Sequence, residues 1–184
     1  LLEIARSWRE ANYRPGVTVL FAAWDGEEQG LLGAKHYVAN PRYPLTATIG
    51  MIQLDMVGMA AAGTLTYDGE GNAVGDQLAA SAALFEVPVA AVNWQGGSDH
   101  GAFLDAGVNA GLLIWDSAEV PYYHTPLDTA DTLQPERLRQ AGIVASHAAL
   151  MLIRGVEATV ARYGGFGAMA LSPRVAPRAG RSPA

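Results

Sequence analysis

The 184-residue chain contains no cysteine. Neither disulfides nor thiolate metal sites are open to it, so any metal must sit on aspartate, glutamate or histidine. Basic residues are also few: 12 Lys and Arg stand against 18 Asp and Glu, for a net charge of −6. That balance argues against a nucleic-acid partner, which favours a basic stripe, and suits a protein that gathers acidic metal ligands. No unbroken apolar run reaches the roughly 18 residues of a membrane span, and none is expected. The chain opens on Leu1 rather than methionine, with no visible signal peptide. Leu1, Ile4, Ala5 and Trp8 already stand at helical spacing, with no capping residue ahead of them. A helix starting in mid-pattern gives the expectation that upstream sequence has been lost.

What is present reads as one globular unit. Half the residues are hydrophobic and 16% are charged, enough for a single domain with a real core. Residues 1–160 form the expected folded unit. The Gly-, Pro- and Arg-rich stretch at 161–184 has no periodicity and reads as a disordered or low-complexity tail.

Val17 to Trp24, uncharged and rich in β-branched and aromatic residues, reads as a strand buried on both faces. It runs into Asp25, Glu27 and Glu28. Leu31, Ala34 and Val38 then mark a helix that Pro41 ends. A second apolar run, Thr46 to Leu54, stops at Asp55. After a small-residue linker at 60–63 come a short strand at 64–67, a helix marked by Val74, Leu78, Ala82 and Phe85, and a brief strand at 88–92. A glycine loop, Gly96-Gly97-Ser98-Asp99-His100, leads into a small helix at 101–106. Ala110 to Trp115 is a further buried strand, leading into Asp116-Ser117. A final helix starts near Pro135 and carries Leu138, Ala141, Ala145, Ala148 and Leu152 on one face. Alternating strands and helices indicate a three-layer α/β/α sandwich around a mostly parallel mixed sheet.

Strand ends and loops thus deliver Glu27, Glu28, Asp55, Asp99, His100 and His124. In open α/β sheets ligands bind at the carboxyl edge, and oxygen donors with imidazole are the set zinc accepts when cysteine is absent. Singly, each has a plainer reading: His100 as a loop histidine, Asp55 as a turn cap, Asp128 and Asp131 as caps on the approach to the last helix. His36 and His147 lie in helices and read as structural or exposed.

Four segments in order, WDGEEQGLLGAKHY, IQLDMVG, GGSDHGAFLDAGV and YYHTPLDTADTL, resemble the zinc-dependent aminopeptidases of the aminopeptidase Y and glutamate carboxypeptidase family. The resemblance spans about 17–150. It implies Glu27 as general base, Glu28 and His124 as ligands of one zinc, and Asp55 as a ligand of the second of two ions. It implies Tyr123 as a donor to the substrate carbonyl oxygen. Ser98, Asp99 and His100 match a signature near the substrate pocket and receive a supporting, substrate-binding role. The implied partner is a peptide, and the implied location is secreted or cell-surface.

The family's first zinc histidine and its bridging aspartate precede the glutamate pair, whereas residues 1–16 hold no histidine and no aspartate. The expectation is a sheet without its leading strands, from a chain that is incomplete and inactive alone. Two alternatives share the fold: a glutaminyl cyclase, and a non-catalytic ectodomain of the transferrin-receptor kind.

Overall fold

The computed structural model describes residues 1–59, 63–94, 97–115, 120 and 122–163. Four expectations fall wholly or partly outside these residues: the linker at 60–63, Gly96 of the glycine loop, Asp116-Ser117, and the tail beyond 163.

Helix α1 spans Leu2–Glu10 and α2 spans Leu32–Ala39. Strands β1 (Met51–Leu54) and β2 (Leu65–Asp68) precede α3 (Ala73–Leu84). Then follow β3 (Val89–Val92), α4 (His100–Asp105), β4 (Ala110–Trp115) and α5 (Pro135–Tyr163). The four strands form one sheet in the order β1-β4-β2-β3. β1 is parallel to β4 and β2 to β3, while β2 runs antiparallel to β4. The sheet is therefore mixed and mostly parallel, as expected.

Alternation along β4 separates the two helical layers. Leu113 and Trp115 join Leu65, Val74, Leu78, Ala141, Val144 and Ala148, and so pack against α3 and α5. Ala110 belongs instead with Ala34, Ala102 and Phe103 of α2 and α4. Successive residues of a strand point to opposite faces, so one fully buried strand serves both cores. Burying a leucine such as Leu65, Leu78 or Leu113 contributes about 1.5–3 kcal/mol.

Local chemistry sets the helix ends. Asn72 Oδ1 accepts from the amides of Val74 (2.9 Å) and Gly75 (3.2 Å), capping α3. Pro135 occupies the first turn of α5, where a missing amide costs nothing, and the Gln134 amide just before it donates to Gly58 O at 2.8 Å. Trp8 ties α1 to α5 by donating from Nε1 to Ser146 Oγ at 2.8 Å. By length and composition alone, Pro135–Arg162 is apolar enough to cross a membrane, which qualifies the expectation that no such segment exists. Its Ala141, Val144, Ala145 and Ala148 lie in the protein core, while 28% of the apolar window is buried.

Two expected strands are corrected. Val17 to Trp24 forms no strand, and among the described residues no backbone hydrogen bond joins it to the sheet. It is half-exposed, with Leu20 at 51% and Phe21 at 40% accessibility. An apolar, β-branched run has strand propensity, but a strand exists only with a ladder partner. Of the run from Thr46 to Leu54, only 51–54 pairs; Leu45–Ala47 is a 3-10 turn.

Candidate metal and active site

The acidic turn is shaped by its own backbone. Gly26 and Gly30 take positive φ values of 65° and 100°. The amides of Gly30 and Leu31 donate to Glu27 O at 3.0 and 2.8 Å, and Gly33 N donates to Asp25 O at 2.8 Å. The chain thus reverses tightly around Glu27 and Glu28 before α2 starts. A Cβ on Gly33 would lie 2.7 Å from both the N and O of Asp25, so only glycine permits this closure. Gly33→Ala is expected to cost about 1–3 kcal/mol, as overpacking does. Urea denaturation measures it, and an unchanged midpoint would refute the close approach.

Asp55 directly follows β1, and its amide donates to Leu113 O at 3.2 Å, extending the β1–β4 ladder. One of its carboxylate oxygens, Oδ2, accepts from Ser98 Oγ at 2.9 Å. On the last loop, Thr125 closes a turn on Tyr122, with its amide (3.0 Å) and its Oγ1 (2.7 Å) both donating to Tyr122 O. That turn holds His124 at φ 57°, a left-handed conformation uncommon outside glycine. The Tyr123 and His124 rings stack with centroids 3.7 Å apart.

These turns bring distant residues together. His124 Nε2 lies 2.6 Å from Glu28 Oε1, across 96 positions of sequence. Burial first, then the charges of Glu28, Asp55 and Asp99, hold the Glu27 carboxyl above its ordinary range, with His124 opposing. Burial and the same group of carboxylates (Glu28, Asp55 and Glu27) raise the Tyr123 phenol, so it keeps its proton. Asp99 is also raised, by burial and then by Asp55, with His100 opposing. Glu27, Glu28, Asp55, Asp99, Tyr123 and His124 therefore lie within one another's electrostatic reach.

The donor chemistry fits zinc. Two donors at ~2.0–2.2 Å from a tetrahedral ion stand ~3.3–3.6 Å apart. Glu28 and His124 need only separate slightly to reach that spacing, and with 64% and 53% side-chain exposure both have room. The number of donors falls short: among the described residues no group of three or more His, Asp or Glu is arranged to hold a metal. A catalytic zinc takes three protein ligands, so a glutamate and a histidine by themselves fall one short.

Ser98, Asp99 and His100 are only 2%, 3% and 0% exposed. All three are enclosed. His100 Nε2 lies 3.1 Å from Asp68 Oδ2, at the end of β2. Sequence reasoning passed over Asp68. The available signal was that a third strand-like run, Thr64 to Tyr67, also stops at a carboxylate followed by glycine. His36 is exposed on α2, and His147 Nδ1 is hydrogen-bonded to Ser81 Oγ at 2.9 Å. Asp131 accepts from Thr129 Oγ1 at 2.6 Å in the turn before α5. All three occupy the structural places expected for them.

Comparison with known proteins adds the lineage. Aminopeptidase YwaD of Bacillus subtilis (strain 168) is 35% identical over 134 residues, which is 67% of this chain and 30% of that protein. The solved structure of BSAP, a zinc aminopeptidase from Bacillus subtilis, superposes with a TM-score of 0.73 at 31% identity, covering 82% of this chain and 39% of that one. A glutaminyl cyclase from Porphyromonas gingivalis, at 18% identity and a TM-score of 0.51 over 76% of this chain and 50% of its own, shares the fold alone. The chain spans about a third of the length of the aminopeptidases it matches. A family model matches residues 1–149, and with the shared α/β architecture this establishes the chain as a member of Peptidase family M28.

Proposed function

We propose that the protein of which these residues are part is a zinc aminopeptidase, and that Glu27, Glu28, Asp55, Tyr123 and His124 belong to its active site. The observation that carries this reading is the Glu28–His124 contact, beside a Glu27 whose carboxyl is raised by burial and then by the charges of Glu28, Asp55 and Asp99. Glu28 and His124 would hold one zinc ion and Asp55 a second. When bound, zinc would supply Lewis-acid chemistry, lowering the pKa of water toward ~7 and polarising the scissile carbonyl.

Glu27 takes the proton from the attacking water and passes it to the leaving amine. A carboxyl held above its ordinary range is better matched to that transfer than an unperturbed one. Tyr123, protonated and beside His124, donates to the oxygen on which negative charge develops. Tyr123→Phe is therefore expected to raise the barrier by about 2–4 kcal/mol with little change in zinc content. Steady-state kinetics on an aminoacyl anilide measures this, and an unchanged kcat would remove Tyr123 from the mechanism. The surplus of carboxylate draws a substrate's free amino group. A secreted or surface location is part of the same proposal.

The testing experiment compares bound zinc and aminoacyl-anilide hydrolysis for residues 1–184 and for the product of the whole reading frame. With two ligands for one ion and one for the other, residues 1–184 alone are expected to bind zinc weakly and hydrolyse negligibly. Robust zinc-dependent activity in residues 1–184 alone would sink the ligand assignment.

A further inference from the structure

β3 ends the sheet: it is laddered to β2 on one side and, among the described residues, to no strand on the other. Its outer edge therefore carries unpaired amides and carbonyls, a template for a further strand. Ala90 and Ala91 are exposed, whereas every residue of β1, at the opposite end of the sheet, is half-buried. Proteins commonly blunt a bare edge with lysine or another charge. Here the sequence from Val87 to Trp94 reads VPVAAVNW and holds no charge. Pro88, without an amide, limits the ladder at its amino side alone. Three large apolar side chains flank the edge and are exposed: Leu84 and Phe85 at the end of α3, and Trp94 just beyond β3.

We propose that β3 is the docking edge for a second copy of this chain, whose own β3 pairs antiparallel to it about a twofold axis and joins the two sheets. A missing ladder calls for an extended backbone, and the charge pattern selects which one. An edge without charge gives a foreign partner no sign to read, and sets no like charge against its own copy. In a twofold antiparallel pairing each strand meets its own sequence reversed. With the axis at Ala90 or Ala91, alanine faces alanine at the centre. Glu86 is the nearest charged residue before the strand. Its two copies then stand about eight to ten positions apart, roughly 27–34 Å at ~3.4 Å per residue. That exceeds the ~8 Å screening length of physiological salt, so the net charge of −6 brings no close repulsion to the seam. A four-residue ladder with three flanking apolar side chains falls below the ~1,200 Å² of a stable interface, so the pairing is transient, with a Kd of roughly micromolar or weaker.

The test is sedimentation equilibrium of the product of the whole reading frame over a range of concentrations, with melting temperature and aminoacyl-anilide hydrolysis followed in parallel. The unsubstituted protein is expected to move from one chain to two as concentration rises. Ala91→Lys sets like charges at the centre of the seam and should weaken the association by about tenfold or more. Ala91→Glu should do the same. Both substitutions are at an exposed position away from the candidate active site, so melting stays within a few degrees and hydrolysis is unchanged. An equal mixture of the Ala91→Lys and Ala91→Glu proteins should pair again, because opposite charges then face each other. A protein that stays monomeric throughout overturns the proposal, as does a dimer that Ala91→Lys leaves intact. Failure of the mixture to pair overturns it too. So does growth beyond two chains, since a twofold contact closes at the dimer. None of these outcomes bears on the zinc reading.

Discussion

Glu27→Gln is expected to lower kcat by about 10²–10⁴-fold, the range that a positioned general base contributes, while bound zinc stays nearly constant. The amide matches the carboxylate in size and cannot accept the proton. Glu28, one residue on, gives the opposite signature. Its Oε1 is the atom against His124 Nε2, so Glu28→Ala should lose metal first and activity as a consequence. Adjacent glutamates can divide the work because the turn around Glu27 is irregular. Gly26 at φ 65° and the amides closing on Glu27 O break the regular alternation that would otherwise relate neighbouring side chains. The measurement is zinc content and kcat for both variants, made in the product of the whole reading frame. If Glu27→Gln loses zinc, or Glu28→Ala retains it, the two roles have been assigned to the wrong residues.

The second large effect is on stability. Leu113→Ala should destabilise the protein by about 2–5 kcal/mol, the cost of emptying a leucine site in a close-packed core. Leu113 is fully buried in β4, among Leu65, Val74, Leu78 and Val144, and helices on that face leave little room to collapse into the gap. Its carbonyl also accepts the Asp55 amide, so loosening β4 reaches the candidate site through one hydrogen bond. Chemical denaturation with an unchanged slope would give the value directly. A loss below about 1 kcal/mol would mean that the site relaxes freely, and β4 would no longer be the centre of the core.

Much of the fold was legible because burial and period agreed locally. Ala110 to Trp115 is a strand over the stretch its apolar run marks, and α5 begins at Pro135 as the proline indicates. The failure at Val17 to Trp24 has a different origin. Composition reports how well a segment would suit a sheet, not whether a neighbouring strand is there to receive its hydrogen bonds. The site was legible in part for a similar reason. Glu28 and His124 announce themselves as donors with reach, and their motifs are specific. The Asp68–His100 pair makes no such announcement, since its members lie 32 positions apart, and neither a β2 carboxylate nor an α4 imidazole signals that it will be enclosed. The Ser98–Asp55 hydrogen bond was invisible until the fold placed a loop against a strand end.

The place of β4 in the sheet bears on how the protein is made. Among the described residues β1 pairs in the sheet with β4 alone, and some 56 positions separate Leu54 from Ala110. At about 5–20 residues per second, a ribosome takes roughly 3–11 s to supply them. Throughout that interval the edge of β1 that β4 will cover is bare, while β2 and β3, joined through α3, are free to pair. The nascent chain therefore passes through a stage in which a β2-α3-β3 unit exists and Met51 to Leu54 remains open to foreign strands. That exposure ends only when β4 arrives to cover the edge.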